Sequence, residues 1–363
     1  MINRFDRVRA RMAEAPFDLL ALIPGPNYYY VSGAPLHASE RLNLLLLPKQ
    51  GAPVALAPAL EAPYIRPLGI QVYEWRDEEG PLESLRAMLR DLGVGNAAVG
   101  VEFNVMRYGE GEMLRSVAPG LQLRPADGFL SSLRAVKDEH ELEAIRHAIA
   151  VTERGLQRAI EGIRVGQTER EIAAAIQVSM LAEGADSMAF NPHVVSGPRS
   201  AEPHAGSGDR AIQPGDVVII DCGATVNHYS GDITRCLAVE PVPWEIEQIY
   251  DLCLRANEAG RAAVRPGATG DDIDSATRAV IDRGEYGEYF IHRTGHGLGL
   301  EIHEPPYMVA GNNQPLAVGN VFTVEPGIYL PGLGGVRVED NIVVTESGGE
   351  SLTTFPRELI RIR

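Results

Sequence analysis

Five side chains of metal-ligand type, Asp221, Asp232, His296, Glu325 and Glu339, follow one another through the second half of this sequence. Four are carboxylates and one is an imidazole. A closed zinc site takes four ligands, so five donors dominated by oxygen suit a pair of divalent ions that share bridging carboxylates. The chemistry expected of such a pair is metal-assisted hydrolysis.

The elements around the five explain how each could be held. Val217-Val-Ile-Ile220 is a short apolar run after a Pro214-Gly215 turn signal and reads as a buried strand that delivers Asp221 at its end. Asp232 opens a second β-like run to Val239, and the segment between is long enough to fold the two acids together as a hairpin. His296 lies in Thr294-Gly-His-Gly-Leu-Gly-Leu300, where glycines leave room for backbone to approach an ion or ligand. Glu325 ends the run Val321-Phe-Thr-Val324 and precedes Pro326-Gly327. From Gly335 to Val344 the alternation sends Val336 and Val338 to one face and Arg337 and Glu339 to the other. Arg337 thus points the same way as the last acid, either as part of the site or as a structural partner of Glu339 or Asp340.

Taken singly, an acid at a strand end is ordinarily a solvated cap or turn residue. Collectively, four of the five adjoin strongly apolar runs, where unpaired carboxylates are costly to desolvate and a shared cation is the readiest way to hold several together.

These motifs resemble the signature of the pita-bread metallopeptidases, and within them the branch of prolidases and Xaa-Pro aminopeptidases. The resemblance rests on Asp221 and Asp232 with ten residues between, Gly295-His-Gly297, Thr323-Val-Glu-Pro-Gly327 and Gly335-Val-Arg-Val-Glu-Asp340. It covers the chain from about Lys137 onward and extends, more weakly, to Asn27-Tyr-Tyr-Tyr-Val-Ser-Gly33 in the first part. The methionine aminopeptidases of that family usually lack such a first domain, and creatinase lacks the full metal set. The resemblance implies that Asp221 binds one ion, that Asp232 and Glu339 bridge both, and that His296 and Glu325 bind the other. Glu325 also takes the proton of the attacking water. It further implies catalytic roles for His204 and His303, and substrate binding by His292 and Arg337. The cofactors implied are two divalent metal ions, manganese, cobalt or zinc. The substrates implied are short peptides with proline in the second position, cut by a dipeptidase or an aminopeptidase, and the enzyme is expected to be a homodimer. Two other readings stand beside this one. One is a metal-dependent hydrolase or lyase of a small non-peptide molecule, and the other a catalytically silent binding module, whose usual sign is loss of ligands.

Composition narrows the classes further. At 363 residues the chain suits two ordinary domains, and 45% hydrophobic with 23% charged residues is ordinary for a globular enzyme. A formal charge of −16 without any basic run argues against nucleic acid as partner. No stretch approaches the roughly 18 apolar residues of a membrane span. With no apolar signal core near the N-terminus, a cytoplasmic location and no membrane partner are expected. Cys222, Cys236 and Cys253 are odd in number and sit in apolar contexts, against a disulfide framework.

Strand-like runs at Asp18–Ile23, Leu42–Leu47, Val54–Leu56 and Ala97–Val101, with Leu82, Leu85, Leu89 and Leu92 at helical spacing, read as a smaller α/β domain. A long helix follows, with Leu142, Ile145, Ile149, Leu156, Ile160 and Ile163 on one stripe. The expected division is 1–132 for a creatinase-like N-terminal domain and 133–363 for the catalytic α/β pita-bread domain. Within the latter, Arg164-Val-Gly-Gln-Thr-Glu-Arg-Glu-Ile172 weakly repeats as Arg265-Pro-Gly-Ala-Thr-Gly-Asp-Asp-Ile273. Each copy offers a threonine cap with an acid three residues later, and together they suggest two related halves about a pseudo-twofold axis.

Overall fold

The computed structural model describes residues 4–203 and 205–362. His204, expected at the catalytic site, therefore lies outside the described residues. Two units emerge, Met1–Arg134 and Ala135–Arg363.

The first unit runs α1 (Arg4–Met12), β1 (Leu19–Leu22), α2 (Pro26–Ser32), β2 (Leu44–Pro48), β3 (Val54–Pro58), α3 (Ala62–Ile65), β4 (Gln71–Trp75), α4 (Leu82–Asp91), β5 (Ala98–Val101), α5 (Tyr108–Val117), β6 (Gln122–Pro125) and α6 (Asp127–Ala135). Its strands form one mixed sheet in the order β4-β3-β2-β1-β5-β6. β1, β2 and β3 are apolar at every position and buried throughout, as a sheet covered on both faces requires. Leu85 and Leu89 of α4 pack into this core as their spacing predicts, whereas Leu82 in the first turn is exposed. The edge strands β4 and β6 are absent from the sequence reading. They are half-buried or exposed over most of their length and carry too few apolar residues to announce themselves.

The second unit continues with α7 (Glu139–Gly162), α8 (Glu169–Ala182), β7 (Ser187–Met188), β8 (His193–Ser196), β9 (Val217–Cys222), β10 (Ala224–Val226), β11 (Tyr229–Ser230) and β12 (Ile233–Val239). There follow α9 (Trp244–Ala263), α10 (Gly270–Arg283), β13 (Gly295–Gly297), β14 (Glu304–Met308), β15 (Val321–Val324), β16 (Gly327–Leu330), β17 (Gly334–Arg337), β18 (Asp340–Thr345), β19 (Gly348–Ser351) and β20 (Ile360–Ile362). The two copies of the repeat start equivalent helices. Thr168 caps α8 reciprocally with Glu171, and Thr269 caps α10 reciprocally with Asp272.

Each half then contributes an antiparallel strand pair, β9 with β12 and β15 with β18. Asp221 lies in the last turn of pairing of β9 and Asp232 directly precedes β12, while Glu325 follows β15 and Glu339 precedes β18. Two strand pairs thus each supply one acid near a strand end and one at a strand start. The segment between Asp221 and Asp232 is more than a loop. It holds β10 and β11, which pair with each other and, through β10, with β7. All three cysteines are free and buried. Among the described residues no helix is long and apolar enough to cross a membrane.

Candidate metal centre

Antiparallel register places Thr234 of β12 directly opposite Asp221 of β9. Thr234 is the hinge of the site: its Oγ1 donates to Glu339 Oε2 at 2.6 Å and accepts from Arg337 Nε at 3.1 Å. Arg337 uses its other two nitrogens on different partners, NH2 on Asp221 Oδ2 at 2.5 Å and NH1 on the Tyr329 hydroxyl at 2.9 Å. Asp340, the other acid considered for Arg337, instead pairs with the fully buried Arg235 at 2.8 Å.

One ligand atom from each of Asp232, His296 and Glu339 lies within 4.8 Å of the other two. His296 Nε2 stands 3.6 Å from Asp232 Oδ2 and 3.5 Å from Glu325 Oε1. Its other nitrogen, Nδ1, is 3.1 Å from the carbonyl of Gly297, which can only accept, so Nδ1 carries the proton. Burial, with His303 adding, lowers the His296 pKa to about 3, and the ring is neutral. Nε2 therefore aims a lone pair at two carboxylate oxygens. That arrangement is repulsive by itself and becomes favourable with a cation between them. Asp221 Oδ1 and Asp232 Oδ1 are moreover buried with no hydrogen-bond partner in the protein. Orphaned buried carboxylate oxygens and an inward lone pair are what a divalent-ion site requires of its donors.

The proton affinities agree. Burial, reinforced by Glu339, Asp221 and Glu325, holds the Asp232 carboxyl well above its ordinary range. Burial, with Glu325 and Asp221 adding, does the same to Glu339. Burial pushes Glu325 up to about 7, Arg337 pulling it down and Asp221 pushing it up. The carboxyls therefore bind protons where they lack cations. Divalent-ion uptake must release those protons, while the neutral His296 has none to release. Manganese affinity of the metal-stripped protein is accordingly expected to rise with pH up to about 7, with measurable proton release in titration calorimetry. Affinity that stays flat over that range would contradict the clustering of these acids.

Three residues surround the cluster. His303 is only partly covered, its ring set edge-on to that of His296 with centroids 4.2 Å apart, and this partial desolvation, with Arg293 adding, lowers its pKa. His292 Nδ1 lies 2.7 Å from the carbonyl of Arg293 and so donates, which leaves Nε2 to accept from the Tyr329 hydroxyl at 2.9 Å. Burial, then Arg337, lowers His292 to about 3. A chain of hydrogen bonds thus runs from His292 through Tyr329 and Arg337 to Asp221. Tyr329 and Thr234 were not legible as site residues. Their roles depend on register, since Tyr329 faces Gly335 across β16 and β17 and Thr234 faces Asp221.

The glycines flanking His296 serve a purpose other than the one their sequence suggests. A Cβ at Gly295 would overlap the carbonyl of Thr323, and one at Gly297 would stand 2.5 Å from the carbonyl of Glu304. They let β13 fit tightly between β14 and β15, rather than making room for an ion.

All four acids and the imidazole of the cluster fall within residues 143–346, which match metallopeptidase family M24. The chain belongs to metallopeptidase family M24. Residues 4–136 match the creatinase/prolidase N-terminal domain. This M24 chain is therefore a hydrolase that uses divalent metal, and its second unit has the pita-bread fold. It is 38% identical over 366 residues to the probable dipeptidase PepE of Mycobacterium tuberculosis, across 99% of this chain and 96% of that protein. It is 35% identical over 364 residues to the Xaa-Pro dipeptidase of Pyrococcus horikoshii, across 99% of each. The crystal structure of a dipeptidase from Pyrococcus horikoshii OT3 superposes with a TM-score of 0.95 at 37% identity, covering 99% of this M24 chain and 100% of the other.

Proposed function

We propose that this M24 protein is an Xaa-Pro dipeptidase in which Asp221, Asp232, His296, Glu325 and Glu339 hold two divalent ions. The observation that carries the reading is the His296 Nε2 lone pair, aimed at carboxylates of Asp232 and Glu325 beside two orphaned carboxylate oxygens. Relatives named Xaa-Pro dipeptidase and dipeptidase along the whole chain support the substrate. The oxygen-rich donor set favours manganese or cobalt over zinc. We take residues 1–132 as the N-terminal domain, residues 133–363 as the catalytic domain, and the active species as a homodimer.

When bound, the divalent ions supply Lewis acidity that polarises the scissile carbonyl and acidifies water. The remaining work falls to side chains. Glu325 takes the proton of the attacking water and returns it to the departing proline nitrogen. His303, exposed beside His296, donates to the developing oxyanion. His204 joins it on the strength of its motif, Glu202-Pro-His-Ala205. Arg337 holds the Asp221 carboxylate in place, and His292 acts on it through Tyr329. The bond before proline is a tertiary amide with no N–H, so a pocket that accepts the ring and offers no acceptor there selects it.

With manganese present, Ala-Pro is expected to be hydrolysed, Ala-Pro-Ala more slowly, and Ala-Ala more slowly than Ala-Pro by about 10²-fold in kcat/KM. Equal rates for Ala-Pro and Ala-Ala would reject proline specificity. Turnover of none of them would favour a small non-peptide substrate.

A further inference from the structure

Helix α9 lays one face against the strand ends that carry the two glutamates. β15 and β18 are paired as far as Val324 opposite Asp340. Beyond that pair the chains part: Glu325 runs on toward β16, and Glu339 lies between β17 and β18. At the point where the strands part, one helix side chain reaches a carbonyl of each. Asn257, fully buried in α9, donates from Nδ2 to the carbonyl of Val324 at 2.9 Å and toward that of Val338 at 3.4 Å. Those carbonyls belong to the residues immediately before Glu325 and Glu339.

The amide is fixed in this sense. Arg261, one turn on, donates from Nε to Asn257 Oδ1 at 2.7 Å, which leaves only the amide nitrogen to face the strands. One turn back on the same stripe, Cys253 donates from Sγ to the carbonyl of Pro326 at 2.7 Å, on the other side of Glu325. The peptide groups around Glu325 are thereby pinned to the helix from both sides.

We propose that Asn257 is a positioning residue of the metal centre: it ties the peptide planes before Glu325 and Glu339 together and so sets the spacing of their carboxylates. This role rests on reading both glutamates as ligands. A merely structural asparagine would satisfy the same two carbonyls and affect stability alone, so the deciding quantity is metal affinity compared at matched stability.

Metal-stripped full-length protein is titrated with manganese as native, as Asn257→Leu, and as Met180→Ala, which loosens the packing of α8 on α7 away from the glutamate strands. Asn257→Leu is expected to bind manganese about 10- to 100-fold more weakly, while Met180→Ala keeps native affinity despite its own fall in melting temperature. Asn257→Asp keeps an acceptor for Arg261 and offers no donor to the strands. It is expected to show the same loss, and it serves in place of the leucine variant should that one not fold. Native manganese affinity in the Asn257 variants would overturn this role alone. Absence of manganese uptake by the native protein would overturn both this role and the metal centre.

Discussion

Metal-loaded Glu325→Gln is expected to fold and to lose nearly all turnover, kcat falling by about 10²–10⁴-fold. The amide keeps the volume but removes a charged donor 3.5 Å from His296 Nε2 and the proposed proton carrier together. The same substitution should stabilise the metal-stripped protein, and the pH dependence of that gain has a definite sign. Glu325 titrates near 4.5 in an unfolded chain and about 7 in the fold. Below 4.5 both states are protonated and the variant gains nothing. As pH rises from 4.5 to about 7 the unfolded native chain releases a proton that the fold retains, so native stability falls relative to the variant. The difference levels off above about 7, on the order of a few kcal/mol. Urea denaturation of both metal-stripped proteins across this range checks it. A variant that is less stable at every pH, or that turns over at the native rate, would remove Glu325 from both roles.

Arg337→Met is expected to destabilise the metal-stripped protein by about 3–5 kcal/mol, because it leaves the Asp221 carboxylate among other acids without its buried partner. Arg337 serves Thr234, Tyr329 and Asp221 from three separate nitrogens. A lysine has one ammonium for the three, so Arg337→Lys should recover little. Added manganese should narrow the gap between native and variant, since divalent ions supply positive charge that the arginine no longer does. Chemical denaturation with and without manganese measures both effects. A loss below about 1 kcal/mol, the size of a solvent-exposed pair, would mean that Arg337 is not structurally committed to this cluster.

The acids of this site could be read from the chain because each adjoins a short apolar run and the runs dictate buried strand ends. The helical repeat was legible for a similar reason: Thr168 with Glu171 and Thr269 with Asp272 encode their caps locally. Features that depend on strand register or on contacts between distant segments were not legible. Tyr329 reaches Arg337 only because β16 and β17 pair in one register. Thr234 reaches Glu339 across 105 positions, and the buried pair Lys137 and Glu304 spans 167. Arg235 did leave a trace, as a charged residue inside the apolar run from Ile233 to Val239. Its partners, the carbonyls of Thr234, Glu339, Phe355 and Pro356 and the carboxylate of Asp340, come from folding alone. β4 and β6 were missed because a half-exposed edge strand needs few apolar residues.

The number of divalent ions held per chain tests the central claim most directly. Metal-stripped protein is reloaded with manganese, freed of excess, and its metal content is measured against protein and against hydrolysis of Ala-Pro. Four carboxylates and one imidazole converging on one cluster predict about two ions per chain, with full activity reached only as the second is taken up. Full activity at one ion per chain, with no further uptake, would contradict the two-ion centre.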